Sequence, residues 1–267
     1  MPYLELSPDF RMFYKIDDYT DPWAHPETVV FVHGFTENTE AWRAWVPHLS
    51  RYYRLIRIDQ RGFGRSGPVP KDFVFTTELF VDDLVRVINH VAGEPVHVVG
   101  GKSGGISVIE LAATRPDLVK TITVVSTPVT APEAKGWIEH MEQHGMRSWA
   151  RTTMPARLGS KVPPRGIDWW VDMMGSTAIS TAHAYLHWVS MIDIRPDLER
   201  IQCPALVIGT DSPRRPKTEF EAYQKHIPNS ELAVIQVDGY HASGTDPDTC
   251  AAITLDFLRR HHARTRR

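Results

Sequence analysis

Six Val- and Ile-rich runs alternate along the chain with stretches whose apolar positions recur every three or four residues. TVVFVHG (Thr28 to Gly34), YRLIRID (Tyr53 to Asp59), VHVVGG (Val96 to Gly101), VKTITVVS (Val119 to Ser126), PALVIGTD (Pro204 to Asp211) and ELAVIQVD (Glu231 to Asp238) are continuous and rich in Val and Ile. Such runs suit parallel strands covered on both faces. Between them, Thr77-Leu84-Ile88, Ile106-Leu111 and Ile253-Phe257-Leu258 keep a helical spacing. The order βαβα predicts an α/β protein with one mostly parallel, twisted sheet and helices on both faces. Near the start, LELSPDFRMFYKI predicts an antiparallel hairpin leading into it.

The alternation stops between about Pro132 and Pro196. That segment lacks a Val/Ile run and holds five of the eight tryptophans, Trp137, Trp149, Trp169, Trp170 and Trp188, with six methionines. Prolines and glycines punctuate it, so it predicts a helical cap over residues 132–195, inserted into a core formed by 1–131 and 196–267. An insert at this point leaves the sheet at the carboxyl ends of its strands, where open α/β sheets place their ligands.

Composition narrows the function. A chain of 267 residues, 42% hydrophobic and with a formal net charge of -2, can bury a large core unaided. It offers no concentrated basic face for nucleic acid or an anionic membrane. The one basic run, RRHHARTRR from Arg259, reads as a frayed, solvated helix end. Two distant cysteines, Cys203 and Cys250, suit neither a disulfide framework nor a metal knuckle. The N-terminal sequence has no basic-then-apolar leader, and no run is long enough to span a bilayer. The expectation is a cytoplasmic enzyme acting on a small molecule, with room for a homodimer.

The candidate chemistry lies in VHVVGGKSGGISVIELAA, Val96 to Ala113. The pattern G-x-S-x-G in Gly101-Lys102-Ser103-Gly104-Gly105 falls where a strand must turn sharply into a helix. Glycines there avoid collisions that a Cβ would cause, and the strained turn would present the Ser103 hydroxyl above the sheet. The following helix aims free N–H groups at the same point, so the N–H of Gly104 could stabilise an oxyanion.

These residues resemble the α/β-hydrolases that carry a Ser-His-Asp triad. Three further motifs support the match: HGFTENTEAW (His33 to Trp42), DQRGFGRSG (Asp59 to Gly67) and the histidine of VDGYHAS. The resemblance runs from His33 to about Leu258. It implies Ser103 as nucleophile, His241 as general base after the last strand, and the N–H groups of Phe35 and Gly104 as oxyanion hole. It gives His33, Asp59, Arg61 and Ser66 structural roles. For the acid it implies Asp211, one residue before the family's usual place, with Asp238 as the substitute. Lys102 departs from the uncharged residue that often precedes the serine; it either snorkels to solvent or pairs with a nearby carboxylate, or else its ammonium helps hold an anionic substrate or perturbs the histidine.

The stretch from His187 to Asp211 resembles the cap exit of the small bacterial enol-lactonase and esterase branch. The resemblance therefore implies hydrolysis of a small carboxylic ester or lactone through acyl-Ser103, with no metal or organic cofactor. A cap rich in Trp and Met suggests a substrate with an apolar or aromatic portion, contacted by Phe35, Lys102, Trp137, Trp169, Trp170, Trp188 and Met191. Two alternatives share these motifs. One is a carbon–carbon hydrolase, cofactor-free oxygenase or lyase with His241 as base; the other is a ligand-binding receptor with a degenerate triad.

Overall fold

The computed structural model describes residues 2–262. Eight strands, β1 (Tyr3–Ser7), β2 (Phe10–Asp17), β3 (Thr28–Val32), β4 (Arg54–Ile58), β5 (Val96–Gly101), β6 (Val119–Val125), β7 (Ala205–Thr210) and β8 (Ser230–Ile235), form one sheet. Its order is β1-β2-β4-β3-β5-β6-β7-β8. The two leading strands form the expected hairpin and pair antiparallel, and every pair from β4 onward is parallel.

The helices are α1 (Val46–Leu49), α2 (Thr77–Val91), α3 (Gly104–Thr114), α4 (Trp137–His144), α5 (Met146–Leu158), α6 (Pro164–Gly175), α7 (Ile179–Val189), α8 (Lys217–Gln224), α9 (Ala242–Thr245) and α10 (Pro247–Arg260). Alternate residues of each central strand feed opposite cores, as the two-residue period of a strand requires. Val30, Val32, Val98, Ile122 and Val124 face one core with α2 and α3. Val29, Phe31, Val99, Val125 and Ile208 face the other with Leu49 of α1 and Phe257 of α10. Each such side chain contributes roughly 1.5–3 kcal/mol by leaving water. The continuity of apolar sequence in these strands follows directly, because both faces are covered.

Helix α2 shows how sequence sets an element. Thr76 caps it by accepting a hydrogen bond from the Leu79 N–H at 3.1 Å. Its stripe of Phe80, Val81, Leu84, Val87, Ile88 and Val91 is buried. Four helices, α4 to α7, occupy the stretch between β6 and β7 in place of a single crossover. Of their tryptophans and methionines, Met141, Trp149, Met154 and Met174 are almost fully buried. Among the described residues, no helix is long and apolar enough to cross a membrane. Arg259 and Arg260 end α10, and the remainder of the basic run, 263–267, lies outside the described residues.

The loops after β3, β5, β7 and β8 emerge at the carboxyl edge of the sheet and bring HGFTENTEAW, the glycine turn, Asp211 and His241 to that edge.

Candidate active site

The turn between β5 and α3 is tight, and its strained residue is Lys102. Lys102 has φ +53°, in the left-handed region that side chains rarely adopt. Ser103 has φ -66° and ψ -16°, an ordinary helical conformation, and stands as the N-cap of α3. The sequence admits two overlapping five-residue patterns, and the fold seats Gly100-Gly101-Lys102-Ser103-Gly104. A Cβ on Gly100 would come within 2.6 Å of the Gly105 Cα, and one on Gly104 would collide with the His33 carbonyl oxygen. The apex expected at Ser103 therefore lies one residue earlier, and the N–H that follows it belongs to Ser103 instead of Gly104.

Ser103 is 7% exposed. Its Oγ accepts the Phe35 N–H at 3.1 Å and the Tyr185 hydroxyl at 2.9 Å. With both lone pairs occupied, its own hydrogen is left to donate. Among the described residues His241 makes no hydrogen bond to it. His241 directs Nε2 to the Glu37 carboxylate at 2.7 Å, and its buried Nδ1 has no partner. The Trp170 ring packs edge-on against the imidazole, with centroids 4.9 Å apart, and the His241 N–H donates to the Arg157 carbonyl.

Asp211 does not join this group. It is exposed just past the end of β7, and its Oδ1 accepts the Lys217 N–H at 3.2 Å. The strand ends at Thr210, so the next side chain turns outward over the start of α8. Asp238, the substitute, accepts the Ser160 N–H at the surface. The carboxylate facing the histidine is Glu37, from the loop after β3, held also by the Gly34 N–H at 3.0 Å. Burial raises the Glu37 pKa, but the charge of His241 and its hydrogen bond outweigh that and hold the group below the ordinary glutamate value. No pattern in the sequence pairs Glu37 with a histidine 204 residues away.

A cavity of about 260 Å³ opens over the turn, lined by Phe35, Glu37, Lys102, Ser103, Trp137 and Tyr185 among others. Phe35 stacks on Tyr185 at 5.1 Å and on Trp137 at 6.3 Å. Of the expected substrate contacts, Phe35, Lys102 and Trp137 line this space. The others lie elsewhere: Trp170 backs His241, Trp188 packs on Phe80 and bonds Thr77, Trp169 stacks under Arg43, and Met191 is 66% exposed. Aromatic composition marks the cap but does not say which rings fill its interior.

Lys102 does not snorkel. Its Nζ lies 4.2 Å from the Tyr240 ring centroid and 3.4 Å from the Tyr240 carbonyl. Burial, followed by the charges of Arg215 and Arg157, pushes its pKa well below the usual lysine value. The expected structural residues pair as scaffolding: His33 Nε2 accepts the Gln60 N–H, Asp59 accepts the Arg65 N–H, Ser66 accepts the Phe13 N–H, and Arg61 forms a buried bidentate pair with Asp83. Among the described residues, no group of three or more His, Cys, Asp or Glu side chains is placed to hold a metal ion.

Residues 27–158 match the family described as alpha/beta hydrolase fold. The chain is 42% identical over 106 residues to a "Probable oxidoreductase EphD" of Mycobacterium tuberculosis, a match covering 38% of this chain and 18% of that protein. Its structure is similar to a thermophilic esterase from Thermogutta terrifontis (TM-score 0.85, 24% identity, covering 98% of this chain and 100% of that one). It is likewise similar to the enol-lactonase of Burkholderia xenovorans LB400 (TM-score 0.86, 20% identity, covering 97% and 100%). At those identities the likeness speaks for the fold.

Proposed function

Since the chain belongs to the α/β-hydrolase family of enzymes, we propose that it hydrolyses a small carboxylic ester or lactone, with Lys102 at the apex acting as base on the attacking water. The observation that carries this reading is the placement of Lys102, and not Ser103, at the strained turn facing the cavity. An amine whose pKa is lowered from the ordinary lysine value is a better-matched base than a free lysine.

In this reading the substrate carbonyl sits above the turn. Lys102 takes a proton from water as the water oxygen bonds to the carbonyl carbon. The oxygen that gains charge accepts a hydrogen bond from the Ser103 hydroxyl, which keeps its proton and is polarised because the Ser103 Oγ accepts from Phe35 and Tyr185. Collapse breaks the bond to the leaving alkoxide, and the Lys102 ammonium returns the proton to it. Ester and water become acid and alcohol, with the amine regenerated. Glu37, fixed by His241 and Gly34, supports the ammonium while it exists.

An acyl-Ser103 route fits less well, because both lone pairs of that oxygen are engaged and the imidazole faces Glu37. His241 as a base acting directly on substrate is also less well supported, since it lies behind Glu37 and off the cavity lining. The test is a panel of p-nitrophenyl esters and small lactones assayed with variants. Lys102→Met should lose about 10³-fold or more in kcat, and Ser103→Ala roughly 10- to 100-fold. A fluorophosphonate should leave Ser103 unmodified. Complete loss in Ser103→Ala together with a phosphonylated Ser103 would restore the acyl-serine route.

A further inference from the structure

Arg157, near the end of α5, lines the same cavity and is 4% exposed. The faces of its guanidinium are covered by aromatic rings, with the central carbon 5.1 Å from the Trp149 centroid and 5.3 Å from Trp137. Its edge is bare: Nε and Nη2 are buried, and neither has a hydrogen-bond partner. Leaving buried charged donors unpaired is costly, and proteins rarely do so without a ligand to receive them.

The neighbouring charges do not answer this need. Arg215 is engaged by Glu219 at 2.7 Å and by the carbonyls of Ser126 and Thr127. Glu37 is committed to His241 and the Gly34 N–H. Arg214 also lines the cavity, 5.2 Å from the Tyr240 ring centroid. Arg157 lies 5.9 Å and the Lys102 Nζ 4.2 Å from that same centroid. Three basic side chains thus surround one tyrosine at the wall of a small pocket.

We propose that Arg157, aided by Arg214, binds a carboxylate carried by the substrate whose carbonyl is hydrolysed over Lys102. The planar fork of a guanidinium offers two parallel N–H donors, which a carboxylate matches. The substrate class is then a half-ester of a small dicarboxylic acid. This rests on the hydrolase reading for the bond that is cleaved, but the anion site has a readout of its own.

Two measurements separate them. Hydrolysis of the p-nitrophenyl half-ester of glutaric acid is compared with that of p-nitrophenyl pentanoate, which has the same chain without the charge. The native protein should favour the half-ester by roughly 10- to 100-fold in kcat/KM, mostly through KM. In Arg157→Leu the ratio should fall to about one, and Arg157→Lys, which keeps the charge but loses the fork, should fall between. Calorimetry with glutarate reads the site without turnover: binding by native protein, lost in Arg157→Leu and weakened in Arg214→Met. Glutarate binding without hydrolysis of either ester would uphold the anion site and reject the hydrolase. Hydrolysis of both esters at equal rates, with no glutarate binding, would overturn the anion site alone.

Discussion

An amine that takes a proton from water must be neutral when the substrate arrives, and burial beside Arg215 and Arg157 shifts Lys102 in that direction by lowering its pKa. The native fold therefore favours the form without the proton. Activity should rise with pH through the depressed amine pKa and level off below the ordinary lysine value of about 10.4. A pH profile of kcat/KM checks this; an acid limb unchanged in Lys102→Met would assign it to another group. Lys102→Arg should be inactive, since a guanidinium does not deprotonate at such pH. The same burial weakens the fold. Because the amine pKa is lower folded than unfolded, stability is reduced at low pH and recovers as pH rises through the folded and then the unfolded value. Lys102→Met removes that cost, so its Tm at pH 7 should exceed that of the native protein, by roughly 2–4 °C per kcal/mol recovered. A variant that gains stability while losing turnover is the signature of a group kept for chemistry.

The element that places this amine is the strand–turn–helix unit of β5 and α3, and its glycines are its weak points. Gly104→Ala would drive a methyl group into the His33 carbonyl. It should cost about 1–3 kcal/mol and move the Phe35 loop, lowering kcat and the urea midpoint together. Most elements of this kind were legible in the sequence, because a strand buried on both faces needs a largely apolar run, as Val29 to Val32 has throughout and Val96 to Val99 has apart from the buried His97. The glycine turn was legible as a turn but not in register. GGKSGG satisfies two overlapping patterns, and the choice between them is made by β5 running to Gly101 and by Gly100 packing on Gly105, contacts that no short window contains. The same holds for Glu37, which meets His241 only because β3 and the last strand deliver their loops to one edge of the sheet. Asp211 sat close enough to the family's position to invite assignment, yet the end of β7 at Thr210 turns it to the surface. Trp169 and Trp188 marked the cap and turned out to serve its packing.

At the scale of the whole molecule, two buried carboxyl groups pull stability in opposite directions along the pH axis. Glu27, beside His97 and Lys120, overcomes the upward push of burial through their hydrogen bonds, and its pKa falls from 4.5 to about 2. Its contribution is fully present above the unfolded value and is lost as pH falls toward 2. Glu110 behaves inversely. It lies on α3, the helix that begins at the glycine turn, and packs against the short helical turn Arg195–Arg200 that leads out of the cap. Burial first, and then the nearby Asp197 carboxylate, raise its pKa from 4.5 to about 7. The folded protein thus holds a proton that the unfolded chain has already released, and the stability this gives is present below 4.5 and lost as pH rises through 7. Glu110→Gln keeps a neutral side chain of the same size at every pH. Its unfolding free energy should match the native protein near pH 4.5 and exceed it at pH 8, where native Glu110 is ionised without a cation of its own. Urea titrations of both proteins at the two pH values decide it. Equal differences at both would mean that Glu110 already carries its charge in the folded state, and the junction between core and cap would then owe nothing to its protonation.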